Sequence, residues 1–282
     1  MMNRGRFARR TVQHITSGQS DTRLDQVVME EPLEIRLVFP GTAPLSIAVT
    51  MRTPGNDFEL AAGFLFTEGI IPTPDMIRSI TYCRDPQRDR QQQYNIVNVD
   101  LQPGVRLDLE PLQRNFYTSS SCGICGKASM EAIRVKGVKP VKEGMTVDPR
   151  VIAGLGETLR QEQKVFDKTG GLHAAGWFDS KGNLMALRED VGRHNAVDKL
   201  LGFTFLEKKI PLSDSILMVS GRTSFEILQK AAVAGIPVVT AVSAPSSLAC
   251  ETAESFGITL IGFARGNRFN IYTGKQRIRD RQ

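Results

Sequence analysis

Alternating apolar positions mark the first third of the chain as strands. The runs "PLEIRLVF" and "PLSIAVTMR" flank the turn-forming "PGTA", and Leu45, Ile47, Val49 and Met51 recur at every second position, the period of a strand with one buried face. Together they predict a hairpin. The rhythm then becomes helical. In "TPGNDFELAAGFLFTEGII", Phe58, Ala61, Ala62, Leu65 and Phe66 share one face, Asn56 or Asp57 is the expected N-cap and Gly69 the stop. A second strand pair is predicted at "YNIVNVDL" and "VRLDLE", joined by "QPG". The polar insert "RDPQRDRQQQ" ahead of it predicts a mobile loop.

The second half has a different period. "DPRVIAGLGETLRQEQKVF" sets Val151, Leu155 and Leu159 at helical spacing, "HAAGWFD" and "NLMALRED" form a hairpin around "SKG", and "NAVDKLLG" returns to helix with Asn195 as its N-cap. From "SILMVSG" to "ITLIGFARG" the chain then alternates strand, helix, strand, helix, strand. Uncharged apolar strand cores separated by helices predict a largely parallel sheet covered on both faces. The expected class is α/β, with a smaller α+β N-terminal domain over residues 1–117, a mobile cysteine loop and linker over 118–146, and a C-terminal domain over 147–282. The element order in the last of these is that of the cytidine-deaminase-like three-layer sandwich. Deaminase chemistry itself is excluded. It needs a Glu two residues after a His or Cys ligand and a later Pro-Cys-x-x-Cys, whereas here Ala175 stands two after His173 and the cysteine pair comes earlier in the chain.

Composition narrows the function classes. With 282 residues, 41% hydrophobic and 23% charged, the chain can bury a proper core. No run approaches the roughly 18 apolar residues that span a bilayer, and the basic N-terminal stretch lacks an apolar core, so a cytoplasmic protein without a membrane segment is expected. Four cysteines, Cys83, Cys122, Cys125 and Cys250, are too few and too irregular for a secreted disulfide framework. Cys83 and Cys250 read as small packing residues. The formal charge of +6 suits a phosphate-bearing ligand or an acidic partner, although part of it lies in "NRGRFARR" and "GKQRIRDRQ", which are expected to be loosely ordered. Four Tyr, one Trp and no basic stripe interleaved with aromatics argue against nucleic acid.

The chemistry concentrates in "SSSCGICGKAS", residues 119–129. A Cys-x-x-Cys pair serves zinc, disulfide exchange or sulfur transfer. Structural zinc takes four ligands, and His14, His173 and His194 show no paired spacing that would complete a set within the chain. A thioredoxin-like dithiol opens a helix directly after a strand, whereas this pair follows "NFYTSSS". Sulfur carriage needs an activated thiolate on a backbone free to move. Gly123 and Gly126 supply the freedom, and Lys127 with the start of "KASMEAIRV" would lower a thiol pKa.

Three further loops leave predicted strands with arginines. "VSGRTSFE" carries Ser220, Gly221, Arg222, Thr223 and Ser224, "REDVGRHNAVDK" carries Gly192, Arg193 and His194, and "GFARGNRFN" carries Arg265 and Arg268 around Gly266. Polar, Arg-bearing loops at strand ends in one α/β unit predict a common cleft for an anionic ligand, with His173 after "TGG" belonging to it.

In this order, "CGICG", "TGGLHAAGW", "REDVGRHNAVDKLLG", "SGRTSFE", "AVSAPSSLA" and "LIGFARGNRFNIY" closely resemble the FdhD family, the sulfurtransferases required for formate dehydrogenase activity. The resemblance covers nearly the whole chain, "LAAGFLFTEGII" included. It implies a cytoplasmic homodimer that accepts persulfide sulfur from a cysteine desulfurase and passes it to the molybdenum cofactor in its bis(molybdopterin guanine dinucleotide) form. Family members hold that cofactor through its guanine nucleotide part. By position, Cys122 would carry the persulfide and Cys125 would assist or relay, while Phe263, Ala264, Arg265, Gly266, Asn267 and Arg268 match the family's cofactor-binding loop. The competing reading is a non-catalytic cofactor chaperone whose cysteine pair is structural or holds zinc.

Overall fold

A computed structural model describes residues 5–107 and 137–279. Cys122, Cys125 and the second run of the predicted strand pair beyond residue 107 lie outside the described residues.

The predicted first hairpin is β3 (Glu31–Val38) and β4 (Leu45–Arg52), paired antiparallel with Leu33, Ile35 and Leu37 buried; of the alternating β4 positions expected to be buried only Ile47 is, Leu45, Val49 and Met51 being exposed on this edge strand. The strand at "YNIVNVDL" is β6 (Ile96–Leu101). Its partners differ from the expected one: it runs parallel to β3 and antiparallel to β5 (Ile77–Tyr82), giving a four-stranded sheet of order β4-β3-β6-β5. Residues 102–107 leave β6 as a turn and irregular chain. Part of the polar insert forms the short helix α2 (Arg90–Tyr94), capped by the Asp89 carboxylate accepting from the Gln92 amide.

Helix α1 (Asp57–Thr67) follows β4, with Asp57 and Glu59 in its first turn suiting the helix dipole. Asn56 occupies the N-cap in a left-handed conformation without a side-chain capping bond, its Oδ1 accepting instead from an Arg6 Nη at 2.8 Å, while the Asp57 carboxylate receives both the Nε and an Nη of buried Arg52. Gly69 ends the helix at φ 71°, its amide donating to the Phe66 carbonyl, as the left-handed stop expected at this position requires.

An antiparallel ribbon, β1 (Phe7–Thr16) with β2 (Gln19–Val28), precedes all this, so the basic stretch expected to be loose is strand from Phe7 onward. Of the other basic end, residues 274–279 are also packed onto the domain. Val147 and Ile278 form a bridge, and the Arg277 guanidinium, buried, donates to the carbonyls of Gly257 and Lys142.

The second half runs α3 (Pro149–Glu162), α4 (Phe166–Thr169), β7 (His173–Asp179), β8 (Leu184–Asp190), α5 (Arg193–Leu206), β9 (Ser215–Val219), α6 (Phe225–Val233), β10 (Val238–Ala241), α7 (Ser247–Ser255), β11 (Thr259–Arg265) and β12 (Arg268–Thr273). Its six-stranded sheet has the order β12-β11-β10-β9-β7-β8. Only β9, β10 and β11 are mutually parallel. The β7–β8 hairpin joins β9 antiparallel and β12 folds back antiparallel on β11, so the sheet is mixed where a largely parallel one was expected.

Coverage on both faces follows from the two-residue period of the strands. Ala174, Phe178, Ile216, Met218, Val238 and Ile261 face α3, meeting Ile152, Leu155 and Leu159. Their neighbours Ala175, Leu217, Val219, Val239, Ala241 and Leu260 face α5, α6 and α7. That second core continues without a break through α1 to the four-stranded sheet.

Contact between α1 and α5 depends on two glycines. A Cβ on Gly63 would overlap the Asp198 carbonyl and lie 2.7 Å from the Gly202 amide nitrogen; one on Gly202 would overlap the Glu59 carbonyl. With the helices this close, Thr67 of α1, Asp198 of α5 and Lys230 of α6 meet in a buried group. Lys230 Nζ lies 2.9 Å from both the Asp198 carboxylate and the Thr67 hydroxyl.

Candidate functional site

The parallel strands β9, β10 and β11 all end at one edge of the sheet, the place where α/β folds bind ligands. The three loops leaving them are tied together. The Thr223 amide donates to the Ala244 carbonyl, Ser246 to Thr223, and Phe263 to Ser243. The Ser220 hydroxyl accepts from the Ala174 amide at 2.9 Å, joining β7 to the same edge.

Beneath these loops, on the α3 face, opens a cleft of about 1380 Å³. The sheet side contributes His173, Ser220, Val242 and the run from Ala264 to Arg268. The opposite wall is α3 with Pro149, Arg150, Gly156 and Arg160, closed by Phe166 of α4 and by Gly170 and Gly171. Asp148 caps α3 by accepting from the Arg150 amide at 2.7 Å, and Pro149 takes the first helical position. Gly156 lets the helix approach the sheet edge, since a Cβ there would come within 3.2 Å of the Ala264 carbonyl. The α3 wall was not singled out from the sequence as part of a site. Its signal was present in Gly156, a glycine inside the helical pattern that marks a close approach, whereas Gly154 faces open space.

Charge in the cleft is unevenly available. Arg150 is held by Asp148, and Arg160 by Asp167 while stacking over Phe166. Arg265 and Arg268 have no carboxylate partner among the described residues; Arg265 only donates its Nε to the Val242 carbonyl. They flank the two-residue turn Gly266–Asn267, where Gly266 takes φ 53°. Phe263 sits just before the turn at an irregularity in the β11–β12 register, in a left-handed conformation rare for a phenylalanine, with its ring 42% exposed.

The predicted common cleft is thus divided. His173, Ser220, Ala264, Arg265, Gly266, Asn267 and Arg268 line it; Phe263, Arg193, His194 and Arg222 do not. Arg193 and His194 open α5 on the other face of the sheet, and Arg222 is exposed in the β9–α6 loop. Asn195, expected as the N-cap, lies inside the helix and is buried, the cap being Gly192. Arg193 nevertheless reaches the rim. A Cβ on Gly221 would lie 3.6 Å from its Cδ and 3.2 Å from His173 Nδ1.

Burial, then the Arg193 guanidinium, hold His173 below the usual imidazole range. The same two causes push His194 down to about 4, against a smaller pull from Glu226; its Nε2 lies 3.1 Å from the Ser224 hydroxyl. His194 therefore folds neutral, and between pH 6.5 and about 4 the unfolded chain binds a proton that the folded one does not. Stability falls as pH falls through that window. Replacing His194 by Gln should flatten the decline of melting temperature between pH 6.5 and 4.5, which a series of thermal melts will register.

Cys83 is buried directly after β5 and Cys250 lies half-buried in α7, each the small packing residue expected. Among the described residues no helix is long and apolar enough to cross a membrane.

Comparison with known proteins settles the family. The FdhD/NarQ family model matches residues 28–279. The chain belongs to the FdhD/NarQ family. Within it, the chain is 52% identical over 272 residues to the sulfur carrier protein FdhD of Streptomyces coelicolor, covering 96% of this chain and 95% of that one. It is 50% identical over 272 residues to the sulfur carrier protein FdhD of Mycolicibacterium paratuberculosis, covering 96% and 98%. The crystal structure of a candidate formate dehydrogenase accessory protein from Desulfotalea psychrophila superposes with a TM-score of 0.74 at 25% identity, over 98% of this chain and 100% of that one. The FdhD/NarQ match begins at Val28, the last residue of β2, so nearly all of the N-terminal ribbon precedes it.

Proposed function

We propose that this protein is a sulfur carrier that serves formate dehydrogenase. It takes persulfide sulfur from a cysteine desulfurase onto Cys122 and delivers it to the molybdenum cofactor, held by its guanine nucleotide end in the cleft under α3. The observation that carries the cofactor part is the Arg265-Gly266-Asn267-Arg268 turn: two exposed guanidiniums, without a carboxylate partner among the described residues, overhanging a cleft at the C-terminal ends of the parallel strands β9, β10 and β11. Family membership and relatives named as sulfur carrier proteins support the sulfur part.

The residues fit such a ligand. Small-molecule pockets commonly measure about 300–1,000 Å³, and the larger volume here suits something longer than a mononucleotide. Arg265 and Arg268 offer charge-assisted bonds to phosphate. Phe263 stands outside the cleft lining, exposed just before the turn, and offers a flat face to a purine that reaches past the rim. When bound, the cofactor supplies the metal that accepts the sulfur.

Loading is a thiol exchange. The Cys122 thiolate attacks the outer sulfur of the donor persulfide, a new S–S bond forms, the donor S–S bond breaks and the donor cysteine leaves as thiolate, so electrons and atoms balance. Cys125, three residues on, is the nearest second thiol in sequence and acts as assistant or relay. The reading includes a cytoplasmic homodimer. It also includes a cytidine-deaminase-like layout for the second half, which the order helix, hairpin, helix, strand, helix, strand, helix, strand supports.

Calorimetric titration with GDP tests the cleft. The wild-type chain should bind it, and Arg265→Ala with Arg268→Ala should weaken binding by roughly tenfold or more, since bonds to charged groups contribute about 1.5–3 kcal/mol each. The salt dependence should also become shallower, while melting temperature stays put because both side chains are exposed. Unchanged affinity in the double variant would remove the turn from the nucleotide site.

A further inference from the structure

Asp190, fully buried at the end of β8, is used by nothing in the cleft chemistry, yet it gathers four donors. Its Oδ1 accepts from the Gly192 amide at 2.8 Å and from Asn195 Nδ2 at 3.1 Å. Its Oδ2 accepts from the Thr53 amide at 3.1 Å and from Lys199 Nζ at 2.6 Å. Lys199 is equally buried and makes a second bond, to the Thr53 carbonyl. Further ties run the same way: the Val191 amide to the Thr53 hydroxyl, Asn195 Nδ2 to the Met51 carbonyl, and the Thr50 hydroxyl to Asn195 Oδ1. The turn from β8 into α5 is thereby clamped onto the end of β4, a strand of the other sheet.

That turn carries Arg193. The Arg193 side chain stands against Gly221 and beside His173 at the cleft rim, and its Nε is buried with no hydrogen-bond partner among the described residues. Buried ion pairs are poor stabilisers, and apolar replacements are often as good or better. What this pair does supply is direction: two carboxylate oxygens, each shared by two donors, leave the turn one arrangement.

We propose that Asp190, neutralised by Lys199, is a positioning residue that holds Arg193 pre-set at the rim of the nucleotide cleft, where its guanidinium meets a ligand phosphate. The proposal rests on the nucleotide reading given above.

The test is a cycle of GDP titrations on the full chain. Arg193→Ala alone should weaken GDP binding by about tenfold. Asp190→Leu with Lys199→Met leaves no unpaired charge but removes the carboxylate oxygen that the Gly192 amide and Asn195 share; it should bind GDP about as weakly as Arg193→Ala, and adding Arg193→Ala to it should bring no further loss. Asp190→Asn with Lys199→Met keeps an oxygen for Gly192 and Asn195 and should bind within about twofold of wild type. Should the leucine variant not melt cooperatively, Asn195→Ala replaces it, since it removes the Asn195 bonds to Asp190, Met51 and Thr50 without stranding a charge and leaves only the Gly192 amide on Asp190 Oδ1. Losses that add across the cycle, or equal affinities in the two double variants, overturn the positioning role. Absence of GDP binding by the wild-type chain would overturn the nucleotide reading and the proposal together, whereas wild-type binding with additive losses overturns the proposal alone.

Discussion

Gly63→Ala should leave little or no folded protein. Alanine is the better helix former by about 1 kcal/mol, so a surface glycine in α1 would tolerate the change or gain from it. Here the added methyl meets backbone. It would overlap the Asp198 carbonyl and crowd the Gly202 amide, and neither can rotate out of the way as a side chain could. Relief requires the helices to part. Parting them would open the junction of Thr67, Asp198 and Lys230, where a buried ammonium and carboxylate depend on each other. It would also open the core shared by the two sheets. Overpacking a deformable core costs about 1–3 kcal/mol, and this site exceeds it, at about 4 kcal/mol or more. Gly202→Ala should behave alike, by the reciprocal overlap with Glu59. Urea unfolding followed by circular dichroism measures both. A midpoint within experimental scatter of wild type would mean that α1 and α5 do not cross this closely.

Cys122→Ala should abolish activation of formate dehydrogenase while leaving GDP binding and melting temperature at wild-type values. Alanine has no nucleophile, so the loading exchange has no acceptor and activity should fall to the level of a strain lacking the protein. Nucleotide binding is retained because the groups assigned to it, Phe263, Arg265, Arg268 and Arg193, sit on β11, β12 and α5, none of which contains the cysteine. Cys125→Ala separates relay from assistant: a relay is indispensable, whereas an assistant leaves a reduced but measurable rate. Complementation of a deletion strain by each variant, read as formate oxidation, gives the comparison. Full activation by Cys122→Ala would remove the persulfide from the mechanism.

The second half of the fold was legible because its strands are short, apolar and bounded by Gly-containing turns. Each of "HAAGWFD", "SILMVSG" and "PVVTAVS" appears as a strand close to where its pattern put it. The N-terminal ribbon was not legible because it buries neither face. Ile15 and Leu24 point into solvent, so hydrophobic alternation, the signal being read, is absent. Strand β12 was hidden for a related reason. The run "GFARGNRFN" has the composition of one ligand loop, whereas a two-residue turn suffices and the polar residues after it pair with β11. Asn195 looked like an N-cap because such residues favour that position. Instead its amide spans the gap to β4, a tertiary use that local pattern does not register. Of the site, the arginine turn was legible and its distribution over two faces of the sheet was not. Which face a loop serves depends on the parity of the strand before it and on the helix laid against that face, here α3 for one and α5, α6 and α7 for the other.

Intact-mass spectrometry after incubation with a cysteine desulfurase and cysteine tests the central claim most directly. Wild type and Cys125→Ala should gain mass in steps of about 32 Da that a reductant removes, as a persulfide on a reactive thiolate does, and Cys122→Ala should gain none. A wild-type chain that gains nothing from an active desulfurase, or an adduct that persists in Cys122→Ala, would contradict sulfur carriage on Cys122 and favour a chaperone that holds the cofactor without handling sulfur.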